Sequence, residues 1–178
     1  MKWHGFGGYG MGGAMTDPAE SVFSKRVAQL GVDIHGSPYL AIETDVENVV
    51  LMIDKIPENE GVFVWGTSLW ANYTAVVCSR VKRRIDGAFG FQASQGGAKG
   101  FPINKNVKFA HLISSNTIIP LPGLGSYVWP VGTIDPASYH RTQHDLPHPG
   151  DYDKHDQDMF LAEMKHIMEH GHGNPGTV

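Results

Sequence analysis

The sequence lacks several features that would point to particular classes of protein. Cys78 is the only cysteine, so an internal disulfide is excluded and export to an oxidising compartment is not indicated. No apolar run approaches the length of a membrane span, and residues 1–13 have no apolar core of signal-peptide length. We therefore expect a protein that is cytoplasmic as synthesised and has no membrane span.

Charge is also scarce in this chain. Charged residues make up 18% of the sequence and the formal net charge is −4, which argues against a nucleic-acid partner. The basic cluster at residues 80–84 falls where a helix should end, so we interpret it as a solvated helix end. The glycines of residues 5–13 do not form a phosphate loop, because the pattern G-x-x-x-x-G-K-[ST] is absent.

The sequence has the composition and the patterning of a globular α/β protein. With 178 residues, of which 41% are hydrophobic, it predicts a single domain at residues 1–170 and a mobile tail at 171–178. Strand patterns at residues 32–35, 85–91 and 107–113, and another from residue 62, alternate with helix patterns at 16–30, 40–56, 69–82 and 159–170. Residues 1–3 are predicted to form a strand stub, and residues 135–158 to be irregular.

This alternation predicts the fold and the place of a ligand site. Strands that alternate with helices are typical of βαβ units, so we predict a three-layer αβα sandwich with a mainly parallel central sheet. Ligands of such sheets lie beyond the carboxyl ends of the strands. Residues 4–5, 66–68, 91–92, 115–116 and the histidine-rich loop are all expected at that edge.

The segment VFVWGTSLWANY, residues 62–73, is the strongest chemical signal in the chain. It begins as an apolar strand, reaches the turn Gly66-Thr67-Ser68, and continues into residues that favour a helix. Such a turn raises the serine hydroxyl above the sheet, and the N–H groups at the helix start can stabilise an oxyanion. We therefore predict that Ser68 is a nucleophile activated by a nearby base.

Two segments carry a family resemblance. HGFGG at residues 4–8 resembles the His-Gly oxyanion loop of lipase- and esterase-like α/β-hydrolases, and GTSLWAN at residues 66–72 resembles their G-x-S-L-G-A-N elbow. Residues 85–92, 107–115 and the HPGD loop at 148–151 also resemble small members of bacterial or phage type. The resemblance implies a minimal α/β-hydrolase fold and hydrolysis of esters through an acyl-enzyme, with no cofactor and no metal.

The resemblance also implies the partners of Ser68. The family's histidine lies in a loop before the last helix, where His148 is our first choice and His144 the alternative. The usual position of the acid holds Asn116, which can orient an imidazole but cannot balance its charge, so we favour Asp135, with Asp145 as a further alternative.

The oxyanion hole and the substrate complete these expectations. The donors would be the backbone N–H of Leu69 and that of Phe6 or Gly7. Trp70 replaces the last glycine of the G-x-S-x-G motif, so the direction of its indole decides whether the turn can work. The substrate would be a small-molecule or polymeric ester, and homo-oligomer formation is left open. The alternative is a catalytically inactive α/β-hydrolase-like binding protein.

Histidines outside this set could indicate a metal site. His166 and His170 can share a helical face, but the sequence shows no third ligand beside them, because His172 lies in the tail. We therefore predict no metal.

Overall fold

The computed structural model describes residues 1–11, 14–16, 22–35, 42–91, 100–115, 129–144 and 154–174. Within these residues seven strands form one sheet and four α-helices cover it. The strands are β1 (Trp3–Met11), β2 (Ala14–Thr16), β3 (Val32–His35), β4 (Gly61–Ser68), β5 (Gly87–Phe91), β6 (Ala110–Ser115) and β7 (Tyr139–His144); the helices are α1 (Val22–Gln29), α2 (Ile42–Asp54), α3 (Leu69–Arg80) and α4 (Lys154–His170). No helix in this part of the chain is both long and apolar enough to cross a membrane.

The sheet is parallel except at one edge. The strand order is β2-β1-β4-β5-β6-β7, and β3 pairs in parallel with the amino half of β1. Only β2 runs antiparallel to its neighbour among the described strands, because it forms a hairpin with the end of β1. The predicted α/β sandwich with a mainly parallel sheet is confirmed.

The two faces of the sheet carry different cores. The α2–α3 face is mainly aliphatic and the α1–α4 face is mainly aromatic. Buried members on the first face include Val46, Val50, Ile53, Val64, Ala71 and Val77; those on the second include Phe23, Phe63, Trp65, Phe89, Phe91 and Phe160. Apolar residues on both faces explain why the central strands read as continuous apolar runs.

The first strand is much longer than the predicted stub. The glycine-rich residues 4–8, expected to form a loop, lie inside β1 and pair with β4 along its length. Their glycines leave room for an indole: a Cβ on Gly7 would lie 2.1 Å from Nε1 of Trp65, and one on Gly5 would lie 2.6 Å from Cη2 of the same ring. Glycine in a strand here marks close packing of an aromatic ring rather than a loop.

The carboxyl-terminal third also differs from the prediction. Residues 139–144, expected to be irregular, form β7, and α4 begins at Lys154 instead of residue 159. The sequence of β7, YHRTQH, has no apolar run, so the strand signal is weak. It pairs with β6 from Tyr139 opposite Ala110 to His144 opposite Ser115.

The tail packs on the domain over its first residues. A Cβ on Gly173 would lie 2.0 Å from Cδ2 of Phe109, so the backbone there passes against that ring. The ring of His172 lies 5.5 Å from that of His166. The remaining tail residues, 175–178, lie outside the described residues, and their predicted mobility stays a prediction.

Candidate functional site

Ser68 occupies an unusual backbone conformation at the junction of β4 and α3. Its φ is 52° and its ψ is −118°, and it is the only non-glycine residue with a positive φ in the described part of the chain. A side chain in such a region costs about 1–3 kcal/mol, and such residues cluster at functional sites. The Ser68 side chain makes no capping hydrogen bond to α3, although it stands at the N-cap position. The strain therefore does not serve to cap the helix.

The turn into α3 is tight enough to require glycine two residues before Ser68. A Cβ on Gly66 would lie 2.2 Å from the carbonyl oxygen of Trp70 and 2.7 Å from Oγ1 of Thr74. The Thr74 hydroxyl donates a hydrogen bond of 2.8 Å to that same carbonyl, within the first turns of α3. Helix α3 thus starts directly against β4, which aims its positive end at the edge where Ser68 lies.

The indole of Trp70 lies beside β1, below the turn. It is 3% exposed, and a Cβ on Gly8 would lie 2.2 Å from its Cδ2. Its ring centroid is 5.5 Å from that of Tyr73. Gly8 pairs with Gly66, two residues before Ser68 in the register, and Ser68 itself stays partly exposed. The motif glycine is absent at position 70, and Gly8 on the neighbouring strand provides the space that the Trp70 indole needs.

The structure does not bring the predicted oxyanion donors Phe6 and Gly7 to Ser68. Phe6 pairs with Val64 and Gly7 with Trp65, so both lie inside the sheet, about 10–13 Å of strand before Ser68. The residue of β1 that pairs with Ser68 is Gly10. The sequence signal that could have extended β1 to this residue is the continuation of the strand pattern past residue 8. Leu69, in contrast, is the first residue of α3, where backbone N–H groups have no helical acceptor.

The described part of β7 reaches the same edge. Thr67, Phe91, Ile113 and Thr142 form one row across β4, β5, β6 and β7, and His144 lies two residues beyond that row. Three strand spacings separate β7 from β4, about 14 Å. The chain therefore leaves β7 at the edge of the sheet that carries Ser68. His148, Asn116 and Asp145 lie outside the described residues, so their roles stay predictions.

Asp135 lies near the amino-terminal ends of the strands, whereas Ser68 lies at their carboxyl-terminal ends. This placement corrects our first choice for the acid that partners the histidine. Asp135 precedes β7, and its Oδ1 accepts a hydrogen bond of 3.0 Å from the backbone N–H of Ala137, capping the 3₁₀ turn Pro136–Ser138. The following strand starts at Tyr139 opposite Ala110, the first residue of β6. The structure does not bring Asp135 to Ser68, because a whole strand length separates the two edges.

Comparisons with known proteins give a fold and no function. No family model and no curated protein sequence matches the chain. The crystal structure of the ydeN gene product from B. subtilis is similar, with a TM-score of 0.54 and 14% sequence identity. The match covers 84% of this chain and 87% of that one. At this identity the likeness shows a shared fold alone.

Cys78 is a second potential nucleophile on α3, and its surroundings make it inert. It is fully buried within the aliphatic core. Burial raises the pKa of its thiol, so the reactive thiolate is not populated. Of the two, only Ser68 lies at the edge of the sheet where a substrate can approach.

Proposed function

We propose that the protein is a serine hydrolase of the α/β-hydrolase superfamily, lipase- or esterase-like, and that it cleaves carboxylic esters through an acyl-enzyme at Ser68. The observation that carries this proposal is the positive φ of Ser68 at a tight junction between strand and helix. A nucleophile elbow holds its serine in such a strained turn, so that the hydroxyl stands clear of the sheet. The glycine that this turn requires, Gly66, is present.

The proposed reaction proceeds in two steps. His148, or His144 in its place, takes the Ser68 proton while Oγ attacks the ester carbonyl, and the backbone N–H of Leu69 donates to the resulting oxyanion. The C–O bond to the alcohol then breaks, and the alcohol leaves with the proton from the histidine. Water, deprotonated by the same histidine, attacks the acyl-enzyme and releases the carboxylic acid and free Ser68.

A second oxyanion donor is needed, and the register favours the end of β1. Gly10 pairs with Ser68, and Met11 follows it before the hairpin to β2. A backbone donor at this position would replace the Phe6 and Gly7 that the sequence suggested. Because β1 lies next to β4, such a donor would approach the carbonyl oxygen from the side opposite β5.

The proposal is tested by substituting Ser68 with alanine. We expect a fluorophosphonate probe to label the wild type and not Ser68→Ala, and kcat/KM for a short-chain p-nitrophenyl ester to fall by about 10³-fold or more. Ser79→Ala is the matched control, because Ser79 is a partly exposed serine of the same helix whose hydroxyl donates to the Val76 carbonyl. It is expected to retain labelling and turnover.

Two outcomes would overturn the proposal. Equal labelling of the wild type and Ser68→Ala would place the reactive group elsewhere. Absence of both labelling and turnover in a folded wild type would favour the alternative, a catalytically inactive binding protein that uses the same edge.

A further inference from the structure

A cluster of metal-ligating side chains lies at the other end of β1, away from Ser68. His4 pairs with Asp33 and Phe6 with His35 in the parallel register of β1 and β3, so all four side chains lie on one face of the sheet. Within the part of the chain that the structure describes, His4, Asp33 and His35 form the one group of three such residues whose ligand atoms all lie within 4.8 Å of one another. We propose that this group, here named the β1–β3 cluster, binds a divalent transition metal ion, with Zn²⁺ as the preferred ion.

The chemistry of the ligands supports this choice of metal. Two imidazole nitrogens and one carboxylate oxygen are a common set for zinc, and they leave a fourth position for water or a substrate. His4 Nδ1 lies 2.8 Å from His35 Nε2, and the Asp33 Oδ2 lies 3.9 Å from the same nitrogen. Ligand atoms about 2.0–2.2 Å from a tetrahedral zinc lie roughly 3.3 Å apart, so these two separations have to change by only about 0.5–0.6 Å.

A carboxylate behind the cluster is an independent observation in favour of a metal. His4 is 5% exposed, and its Nε2 lies 2.5 Å from Oε2 of Glu60. When Nε2–H donates to this carboxylate, Nδ1 is left with its lone pair directed at His35. Metal-binding histidines typically donate their second N–H to a carboxylate in this way, which fixes the tautomer and raises the basicity of the ligand.

The second histidine, His35, is oriented by ring stacking and is partly exposed to solvent. The Phe6 ring stacks on His35 at a centroid distance of 4.7 Å and an interplanar angle of 13°. The His35 side chain is 26% exposed and that of Asp33 is 53% exposed, so an ion has access from solvent. Lys2 Nζ, 3.7 Å from Asp33 Oδ2, is the cation that a metal would displace, and both of these groups are more than half exposed. An exposed pair of this kind contributes little, so its loss opposes binding weakly.

Two other arrangements compete with this assignment. The first is a hydrogen-bonded chain from His35 through His4 to Glu60 that binds no metal. The second is metal binding by His166, His170 and His172, whose ring centroids lie 4.3, 5.5 and 6.3 Å apart at the end of α4. An experiment has to separate the β1–β3 cluster from both.

The test is a titration of the metal-free protein with Co²⁺, followed through its visible d–d absorption and then by competition with Zn²⁺. We expect one tight equivalent in the wild type and in the double variant His170→Ala/His172→Ala. We expect His35→Ala to weaken this equivalent by about 100-fold or more, and Glu60→Gln by about 10–100-fold, because Glu60 supports a ligand without being one. Circular dichroism checks that each variant is folded.

Three results would overturn the proposal. The first is a tight equivalent that persists in His35→Ala, and the second is one lost only in the double variant. The third is a wild type that binds neither Co²⁺ nor Zn²⁺ tightly, which would favour the hydrogen-bonded chain. None of these readouts depends on hydrolysis at Ser68, so the metal proposal stands or fails independently of the proposed function.

Discussion

The indole of Trp70, on α3, packs directly against Gly8, on β1. The indole of Trp70 fills the space that a side chain at position 8 would need, since a Cβ there would lie 2.2 Å from Cδ2. We predict that Gly8→Ala lowers the free energy of unfolding by about 1–3 kcal/mol, because the indole has to shift to admit the added methyl group. Urea denaturation measures the effect.

The background variant Trp70→Ala provides the control for Gly8→Ala. Trp70→Ala alone is expected to cost about 3–5 kcal/mol through the cavity that it leaves. In that background the extra methyl group meets open space, so Gly8→Ala is expected to cost close to nothing. Equal costs in the two backgrounds would show that the two residues do not constrain each other.

Single residues show what short-range patterns can and cannot predict. The turn at Ser68 can be predicted because its strand, its turn and its helix are contiguous in the sequence. Phe6 and Gly7 were misplaced because the reason for the glycines of β1 lies elsewhere in the chain, in the ring of Trp65. The contact between His4 and His35 could not be predicted for the same reason: 31 residues separate them, and only the sheet register brings them together.

At the scale of elements, the basic segment after α3 forms a hydrogen-bonded tie between two segments of the chain. It is not the solvated helix end that the sequence predicts. Arg83 is 5% exposed, and its guanidinium donates to the backbone carbonyls of Ile56, Pro57 and Glu60. Its Nε donates to the carbonyl of Arg84. The segment that follows α2 is therefore fastened to the segment that follows α3. The same tie holds the backbone of Glu60, whose side chain meets His4.

We predict that Arg83→Met lowers the free energy of unfolding by about 2–4 kcal/mol. Methionine keeps much of the apolar stem but leaves the carbonyls of the tie without donors. Lys82→Met is the matched control: Lys82 is exposed, so its side chain is expected to matter by less than about 0.5 kcal/mol. Thermal or urea unfolding measures both, and equally stable variants would contradict the tie.

Strand β7 shows why one element cannot be predicted from the sequence. Its inward side chains are polar and contact side chains of other elements: the Thr142 hydroxyl lies 2.7 Å from Nε2 of His111, and the His140 ring lies 6.0 Å from the ring of His111. His111 in turn lies 2.7 Å from Oε1 of Glu163 on α4, and both of those side chains are fully buried. A strand whose inward face is built from such contacts lacks the apolar alternation that identifies strands in a sequence.

At the scale of the whole molecule, the α1–α4 face combines an aromatic core with a buried polar network. His140 is 8% exposed and faces His111 on β6, with Glu163 of α4 nearby. Burial lowers the pKa of His140, the electrostatic influence of the neighbouring His111 lowers it further, and Glu163 opposes both effects. This part of the core therefore folds best with a neutral imidazole at position 140.

The stability of the protein should consequently fall on acidification. The pKa of His140 in the folded state lies below its unfolded value of about 6.5, so the unfolded chain binds more protons as the pH falls through about 6.5. The contribution of His140 is complete above that pH. It is lost below it, at up to about 1.4 kcal/mol per pH unit until the folded pKa is reached.

Two substitutions isolate this contribution. His140→Phe and His140→Gln both remove the titrating group but differ in packing, so we expect different absolute stabilities and the same flattening of the pH profile. Urea midpoints from neutral to mildly acidic pH, measured with a chelator present, test this. A residual slope is expected from His35, whose pKa is also lowered, chiefly by burial. If both variants keep the slope of the wild type, the acid sensitivity comes from other groups and the neutral state of His140 does not control it.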